Sequence, residues 1–250
     1  MSDPALVGVG VGPGDPELIT VLAVRVLRSA DLVVVPVLDP ADTGRAEAVV
    51  RAHLDPPPGA GADRVRRVVF AMNERTDLRR REAAWDAAAA VVADAFGAGA
   101  RTVAFATIGD PNVYSTFTYL AQTVQGRVPG VAVATVPGIT AMQDLAARSG
   151  TVLCEGREPL TLLPATAGLD AVAAALGTAG TEVAYKAGRW MPEVRDLLRR
   201  HDRLAGAVYG AALGLPDQDI RPVAELPDGP APYLSTVIVP GRRGGRGSRL

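Results

Sequence analysis

Four glycines and one proline crowd the stretch Gly8-Val9-Gly10-Val11-Gly12-Pro13-Gly14-Asp15, between a short apolar run and an amphipathic segment. Placed there, it reads as a strand-to-helix loop with almost no side chains, so a small molecule can approach the backbone closely. It is not a dinucleotide loop. The fingerprint Gly-x-Gly-x-x-Gly fits in no register, because the third glycine always falls one place out. Pro13 removes a backbone donor that a pyrophosphate would want. The acidic residue expected after the second strand is also missing: Asp31 precedes Leu32-Val33-Val34-Val35, which ends in Pro36. The loop points to a ligand held by shape and amide contacts.

The chain has 250 residues, enough for one large domain or two of about 100–130 each. At 48% hydrophobic and 21% charged residues it can bury a substantial core. A net charge of -1 speaks against nucleic acid as a general partner, while leaving room for a local basic patch. No apolar run approaches the ~20 residues of a membrane span, and Met1-Ser2-Asp3-Pro4 lacks the basic start of a signal peptide. Cys154 stands alone, which excludes a disulfide framework and fits a cytoplasmic location. With only His53 and His201 beside it, a protein-bound metal is not expected. No Gly-x-Ser-x-Gly elbow is present. Lys186 is the only lysine in an arginine-rich chain, and arginine cannot replace a compact, titratable ammonium.

Residues 6–10 read as a buried first strand. Asp15 is placed to cap a helix with Pro16 in its first turn, and Leu18, Ile19, Leu22, Ala23, Val26 and Leu27 would form its apolar face. A strand over 32–35 then implies a right-handed crossover in a parallel sheet. Further strands are expected over 65–70, 102–106 and 131–136, and helices over 79–96 and 114–123. Arg64, Arg66 and Arg67 are expected near solvent, and Arg79-Arg80-Arg81 on a solvated helix face. Pro56-Pro57-Pro58-Gly59-Ala60-Gly61 reads as an exposed loop.

Beyond Pro137 the pattern changes. Helices are expected over 142–148, 169–176 and 191–201, strands over 160–163, 181–185 and 205–209, and a hairpin-like strand over 233–239. The expected division is an N-terminal α/β domain over 1–137 with a mostly parallel sheet, then a C-terminal α/β domain with a mixed sheet over 138–241. The Gly/Arg-rich tail over 242–250 is expected to be disordered.

Ligands of open parallel sheets bind at the carboxyl ends of the strands. Three unusual loops leave such ends: 8–15, Thr107-Ile108-Gly109-Asp110-Pro111, and Val136-Pro137-Gly138-Ile139-Thr140-Ala141. Together they suggest one pocket walled by backbone, with Asp110 as its charged member; taken alone, Asp110 before proline reads as a helix cap.

These three motifs, in this order, resemble the tetrapyrrole methylase family, and the resemblance extends to about Val239. It implies an α/β, two-domain class III methyltransferase fold with the ligand cleft between the domains. It also implies S-adenosylmethionine as cofactor, S-adenosylhomocysteine as product, and a homodimer. Within the family, Tyr114-Ser115-Thr116-Phe117-Thr118-Tyr119 is similar to the branch that methylates C-20 of precorrin-2 or cobalt-precorrin-2, an early step toward cobalamin. Tyr185-Lys186-Ala187-Gly188-Arg189 is similar to that branch's Met-Lys-x-Gly-Arg, with Tyr185 in place of methionine. Leu215-Pro216-Asp217 and Tyr233-Leu234-Ser235-Thr236 are similar to its late motifs.

Carried over by motif, the cofactor residues are Pro13, Ile108, Gly109, Asp110, Val113, Thr140, Ala141 and Ala212, with Ser115 and Thr116 as additions. Asp110, Lys186 and Tyr233 are the catalytic candidates. A polycarboxylate substrate calls for arginines near the cleft, and Arg45, Arg51, Arg75 and Arg189 are the candidates. The rival readings are a methylase of another ring carbon, a non-catalytic tetrapyrrole or cofactor binder, and a nicotinamide oxidoreductase. The broken glycine spacing speaks against the last.

Overall fold

The computed structural model describes residues 3–54, 63–70 and 77–245. The chain divides into two compact units, Met1–Thr140 and Ala141–Leu250. The 56–61 loop expected from the sequence lies outside the described residues.

The first unit is a parallel sheet with helices on both faces. Its strands β1 (Ala5–Gly10), β2 (Leu32–Val37), β3 (Val65–Val69), β4 (Thr102–Thr107) and β5 (Ala132–Val136) lie in the order β3-β2-β4-β1-β5. Helices α1 (Val21–Ser29), α2 (Arg45–His53), α3 (Leu78–Gly97) and α4 (Phe117–Arg127) complete it. Val33, Val35, Ala104 and Ala106 pack with Ala23 and Leu27 of α1 and Val49 and Val50 of α2. The alternate residues Val34, Val103 and Phe105 pack with Ala88 and Val92 of α3 and Leu120 and Val124 of α4. A sheet buried on both faces needs consecutive apolar residues, which is why these strands read as unbroken runs.

Local chemistry moves several boundaries. Asp15 caps only the 3-10 turn Pro16–Leu18, through a bond from the Glu17 N–H at 3.0 Å. Thr20 then caps α1 by accepting the Ala23 N–H at 3.1 Å. The single helix expected from Asp15 is therefore two elements, and Leu22, expected in the core, is 48% exposed. Helix α2 was not anticipated, because its start at Gly44 has no side-chain cap and its apolar stripe is only Ala46, Val49 and Val50. Arg67 does not simply face solvent: with Arg51 it binds the fully buried Glu47, at 2.7 and 2.8 Å. The helix expected from Tyr114 starts only at Phe117, since Tyr114 adopts a left-handed φ of 51°.

In the second unit, β6 (Leu160–Pro164), β7 (Thr181–Tyr185), β8 (Val208–Ala211), β9 (Asp219–Pro222) and β10 (Ser235–Val239) form a mixed sheet in the order β6-β7-β10-β8-β9. Helix α5 (Ala141–Ser149) packs with Val183 and Ile238, while α6 (Leu169–Leu176) and α7 (Met191–Arg200) pack with Ala184, Val237 and Val239. The hairpin-like strand expected at the end is instead central: β10 runs antiparallel between β7 and β8. Its five residues are all buried, which an edge strand would not need. Strand β9 was not anticipated, its four residues Asp-Ile-Arg-Pro being too short and polar to signal a strand.

The start of the tail is also tied down, against expectation. Arg243 binds the buried carboxylate of Glu158 and donates to the Val152 carbonyl at 3.0 Å, and Arg242 donates to the Asp202 carbonyl at 2.7 Å. Residues 246–250 lie outside the described residues. Among the described residues no helix is long and apolar enough to cross a membrane.

Candidate functional site

Strands β4, β1 and β5 are neighbours, so the three motif loops leave adjacent strand ends at one edge of the first sheet. Their backbones touch. The Gly109 N–H donates to the Gly12 carbonyl at 2.8 Å, and the Val11 N–H to the Thr107 carbonyl at 3.0 Å. A Cβ on Gly10 would stand 2.5 Å from the Gly109 oxygen and 2.6 Å from the Gly138 nitrogen. Gly138 has no room for one either, against the same Gly109 oxygen. The missing side chains of Gly10 and Gly138 thus let three main chains pack around the Gly109 carbonyl, where a Cβ at either would hold them apart. Gly12 and Gly109, with φ of 82° and 70°, also need the left-handed region.

Asp110 ties two of these loops together. One carboxylate oxygen accepts the Asn112 N–H at 2.8 Å and the other accepts the Gly138 N–H at 3.0 Å, 28 residues on. Its cap reading is therefore half the story: it closes its own turn and also fixes the loop after β5. Ser115 donates to the Thr107 hydroxyl and accepts the Phe117 N–H, both at 3.1 Å, which shapes the turn into α4. Around this edge Pro13, Gly109 and Thr140 are buried, and Ile108, Asp110, Val113, Ser115 and Thr116 are half-buried.

A second group of candidates shares one edge of the other sheet. Lys186 follows β7, Ala212 follows β8 and Tyr233 precedes β10, which runs antiparallel between those two strands. Lys186 and Ala212 both have left-handed backbones, with φ of 58° and 49°. For residues with a Cβ this costs roughly 1–2 kcal/mol each, and such strain clusters where function requires it. Gly188 explains part of the Lys-x-Gly-Arg motif: its missing Cβ leaves space for the Ala231 and Pro232 carbonyls, and its own carbonyl accepts the Ala231 N–H at 2.8 Å. That contact brings the segment before Tyr233 to the end of β7.

The arginine candidates fare differently. Arg45 opens α2, at the same end of the first sheet as the motif loops. Arg51 does not join them. It is held by Glu47 and by Asp63, which lies just before β3 and so at the opposite, amino edge. Arg189 is exposed, with its guanidinium 5.6 Å from the Trp190 ring centroid. Arg75 lies outside the described residues. The sequence reading missed Tyr185 as more than a replaced methionine: its hydroxyl accepts the Met142 N–H at 2.9 Å, in the first turn of α5. No local pattern signals a bond across 43 residues.

The proposed cofactor set suits an adenosine and a sulfonium better than a polyphosphate. It is apolar, hydroxyl-bearing or glycine, its one charged member Asp110 is an anion, and it contains no lysine or arginine. Among the described residues no group of His, Cys, Asp and Glu is arranged to hold a metal ion.

Comparison with known proteins agrees with this geometry. Residues 5–227 match the family model for tetrapyrrole (corrin/porphyrin) methylases. The chain is 34% identical to a precorrin-2 C(20)-methyltransferase of Sinorhizobium sp over 244 residues, covering 94% of this chain and 95% of that protein. It is 31% identical to the cobalt-precorrin-2 C(20)-methyltransferase of Salmonella typhimurium, again covering 94% and 95%. Among solved structures, the cobalt precorrin-4 methyltransferase CbiF shares the fold, with a TM-score of 0.66, 20% identity and 94% of each chain covered. The α/β class III methyltransferase fold is thereby established, and with it a general S-adenosylmethionine-dependent methyltransferase activity on tetrapyrroles. The chain belongs to the tetrapyrrole methylase family.

Proposed function

We propose that this protein methylates C-20 of precorrin-2 or of its cobalt form. The observation that carries the reading is the near full-length similarity to two C(20)-methyltransferases, one named for each form of the substrate. The Tyr-Ser-Thr-Phe-x-Tyr segment, from Tyr114 to Tyr119, supports it.

S-adenosylmethionine, when bound, supplies an electrophilic methyl on a sulfonium. The chain's own work is placement and proton handling. Pro13, Ile108, Gly109, Asp110, Val113, Thr140, Ala141 and Ala212 would hold the cofactor, with Ser115 and Thr116 shaping the turn beside them. The meso carbon of the substrate is already enamine-like, so no strong nucleophile has to be built, and positioning is the main contribution. Asp110 would contact the reacting edge or stabilise positive charge on the ring nitrogens. Lys186 would lie on the substrate side, where it binds a peripheral carboxylate or helps manage the proton that C-20 gives up, with Tyr233 assisting. Arg45 and Arg189 bind further carboxylates.

The test is incubation with methyl-labelled S-adenosylmethionine and precorrin-2, with and without Co²⁺, followed by mass spectrometry and NMR location of the label. Label at C-20 is the expected result. Label at another ring carbon would make this a methylase of different regiochemistry. Tight cofactor binding with no transfer to any precorrin would make it a binder.

A further inference from the structure

The hydrogen bond between Tyr185 and Met142 joins two segments with separate roles in the proposed reaction. The first N–H groups of a helix have no partners within it, and at Met142 the acceptor is the Tyr185 hydroxyl, 2.9 Å away. Tyr185 is the last residue of β7 and pairs with Thr236 of β10. It packs into the same apolar cluster as Ala141, Met142, Leu145 and Ile238. A ring held by packing gives its hydroxyl a defined position, unlike a flexible side chain reaching the same point.

The next residue is Lys186, in its left-handed conformation. On its far side the Ala187 N–H donates to the Ser235 carbonyl at 3.4 Å, and Gly188 is wedged beneath the Ala231 and Pro232 carbonyls. Lys186 is thus strained between two anchors, and a strained backbone persists only where its surroundings over-determine it. On the other end of the bond, Met142 follows Ala141 directly.

We infer that Tyr185 is a positioning residue: by accepting the Met142 N–H, its hydroxyl fixes the first turn of α5 against the end of β7. It thereby holds Ala141 and Lys186 in place together. The inference rests on the reading that Ala141 contributes to the cofactor site and Lys186 serves the substrate. A methionine at this position fills space but cannot make the bond, so the tyrosine adds rigidity to this edge.

Tyr185→Phe removes the acceptor and keeps the ring. Calorimetry with S-adenosylhomocysteine should show affinity weakened about fivefold to tenfold, the size of one lost hydrogen bond. The KM for S-adenosylmethionine should rise in step, and kcat should fall because Lys186 loses an anchor. In a Lys186→Ala background, Tyr185→Phe should still raise that KM but cause no further fall in kcat. A role confined to stability would lower the melting temperature and leave both effects absent. Should Tyr185→Phe fail to fold, Tyr185→Met undergoes the same comparison.

Unchanged affinity and kcat in the folded variant overturn the inference while leaving the proposed function intact. So does a kcat loss that persists without the lysine. A wild-type protein that binds no S-adenosylhomocysteine overturns both.

Discussion

The two units hold their loop-bearing edges by different means. In the first, main chain packs on main chain: Gly10 and Gly138 leave room for the Gly109 carbonyl among three loops, and Asp110 accepts the Gly138 N–H across two of them. In the second, the Tyr185–Met142 bond orders the edge that bears Lys186, and two buried guanidinium–carboxylate anchors hold the opposite edge. Arg203 binds Glu182 at 2.7 Å and donates to the Gly180 carbonyl at 3.0 Å, both groups being nearly inaccessible. Arg243 closes the chain end onto Glu158. Glycine contacts fix backbone position with nothing left over to titrate or reach, which suits a surface that a ligand approaches. Buried ion pairs hold distant segments together but depend on both partners staying charged and in place.

That contrast can be broken at either end. The largest effect is expected in the second unit. Arg203→Met strands Glu182 without its partner, and unfolding in urea should report a loss of about 3–5 kcal/mol. A loss under about 1 kcal/mol would mean the staple is ornamental.

Gly10→Ala attacks the first unit's device. Its methyl cannot fit between the Gly109 and Gly138 backbones, so stability should fall by about 1–3 kcal/mol, with S-adenosylhomocysteine affinity falling as well. An alanine tolerated without loss of either would show that the loops do not pack as described. Asp110→Ala deletes the acceptor of its own turn and the cross-loop acceptor of the Gly138 N–H, and a stability loss of about 1–3 kcal/mol is expected beside any loss of turnover. A melting curve identical to wild type would confine Asp110 to chemistry.

The buried carboxylates of Glu47 and Glu182 should differ in sign with pH. Burial pushes Glu47 up, but its bonds and charge contacts with Arg67 and Arg51 outweigh that and leave it below its ordinary 4.5. Its stabilising contribution is therefore present above that value and lost as pH falls through the lowered one. Burial wins at Glu182, despite Thr178 and Arg203, and raises it above 4.5. The folded state then holds that proton more tightly than the unfolded chain. Stability contributed by Glu182 declines as pH rises from 4.5 through the raised value. Stability-versus-pH curves should flatten on the acid side in Glu47→Gln and above pH 4.5 in Glu182→Gln. Parallel curves for the two variants would contradict this. The smallest change is expected at Ala212, where glycine relieves a φ of 49° at some entropic cost and should add about 0.5 kcal/mol at most.

The same contrast explains what could be read in advance. The first unit's strands were legible because Val33-Val34-Val35 and Val103-Ala104-Phe105 face helices on both sides, and that burial writes itself into consecutive residues. Its three touching loops were legible because close backbone contact demands glycine at Gly10 and Gly138. Helix α2 was hidden by an uncapped start, and Leu22 was misplaced because an apolar stripe gives no sign of which turn the chain will bury. In the second unit β10 looked like a closing hairpin, although its buried sequence fits a central strand equally well.

Sequence alone determined the alternation of strands and helices, the three glycine loops and the family they mark, since each depends on neighbouring residues or on a backbone that tolerates no Cβ. Tertiary structure decided which charges pair, that Arg51 turns away from the motif edge, and that Tyr185 reaches Met142. Such contacts join residues far apart in the chain, and their energies depend on distance and burial that no local pattern records.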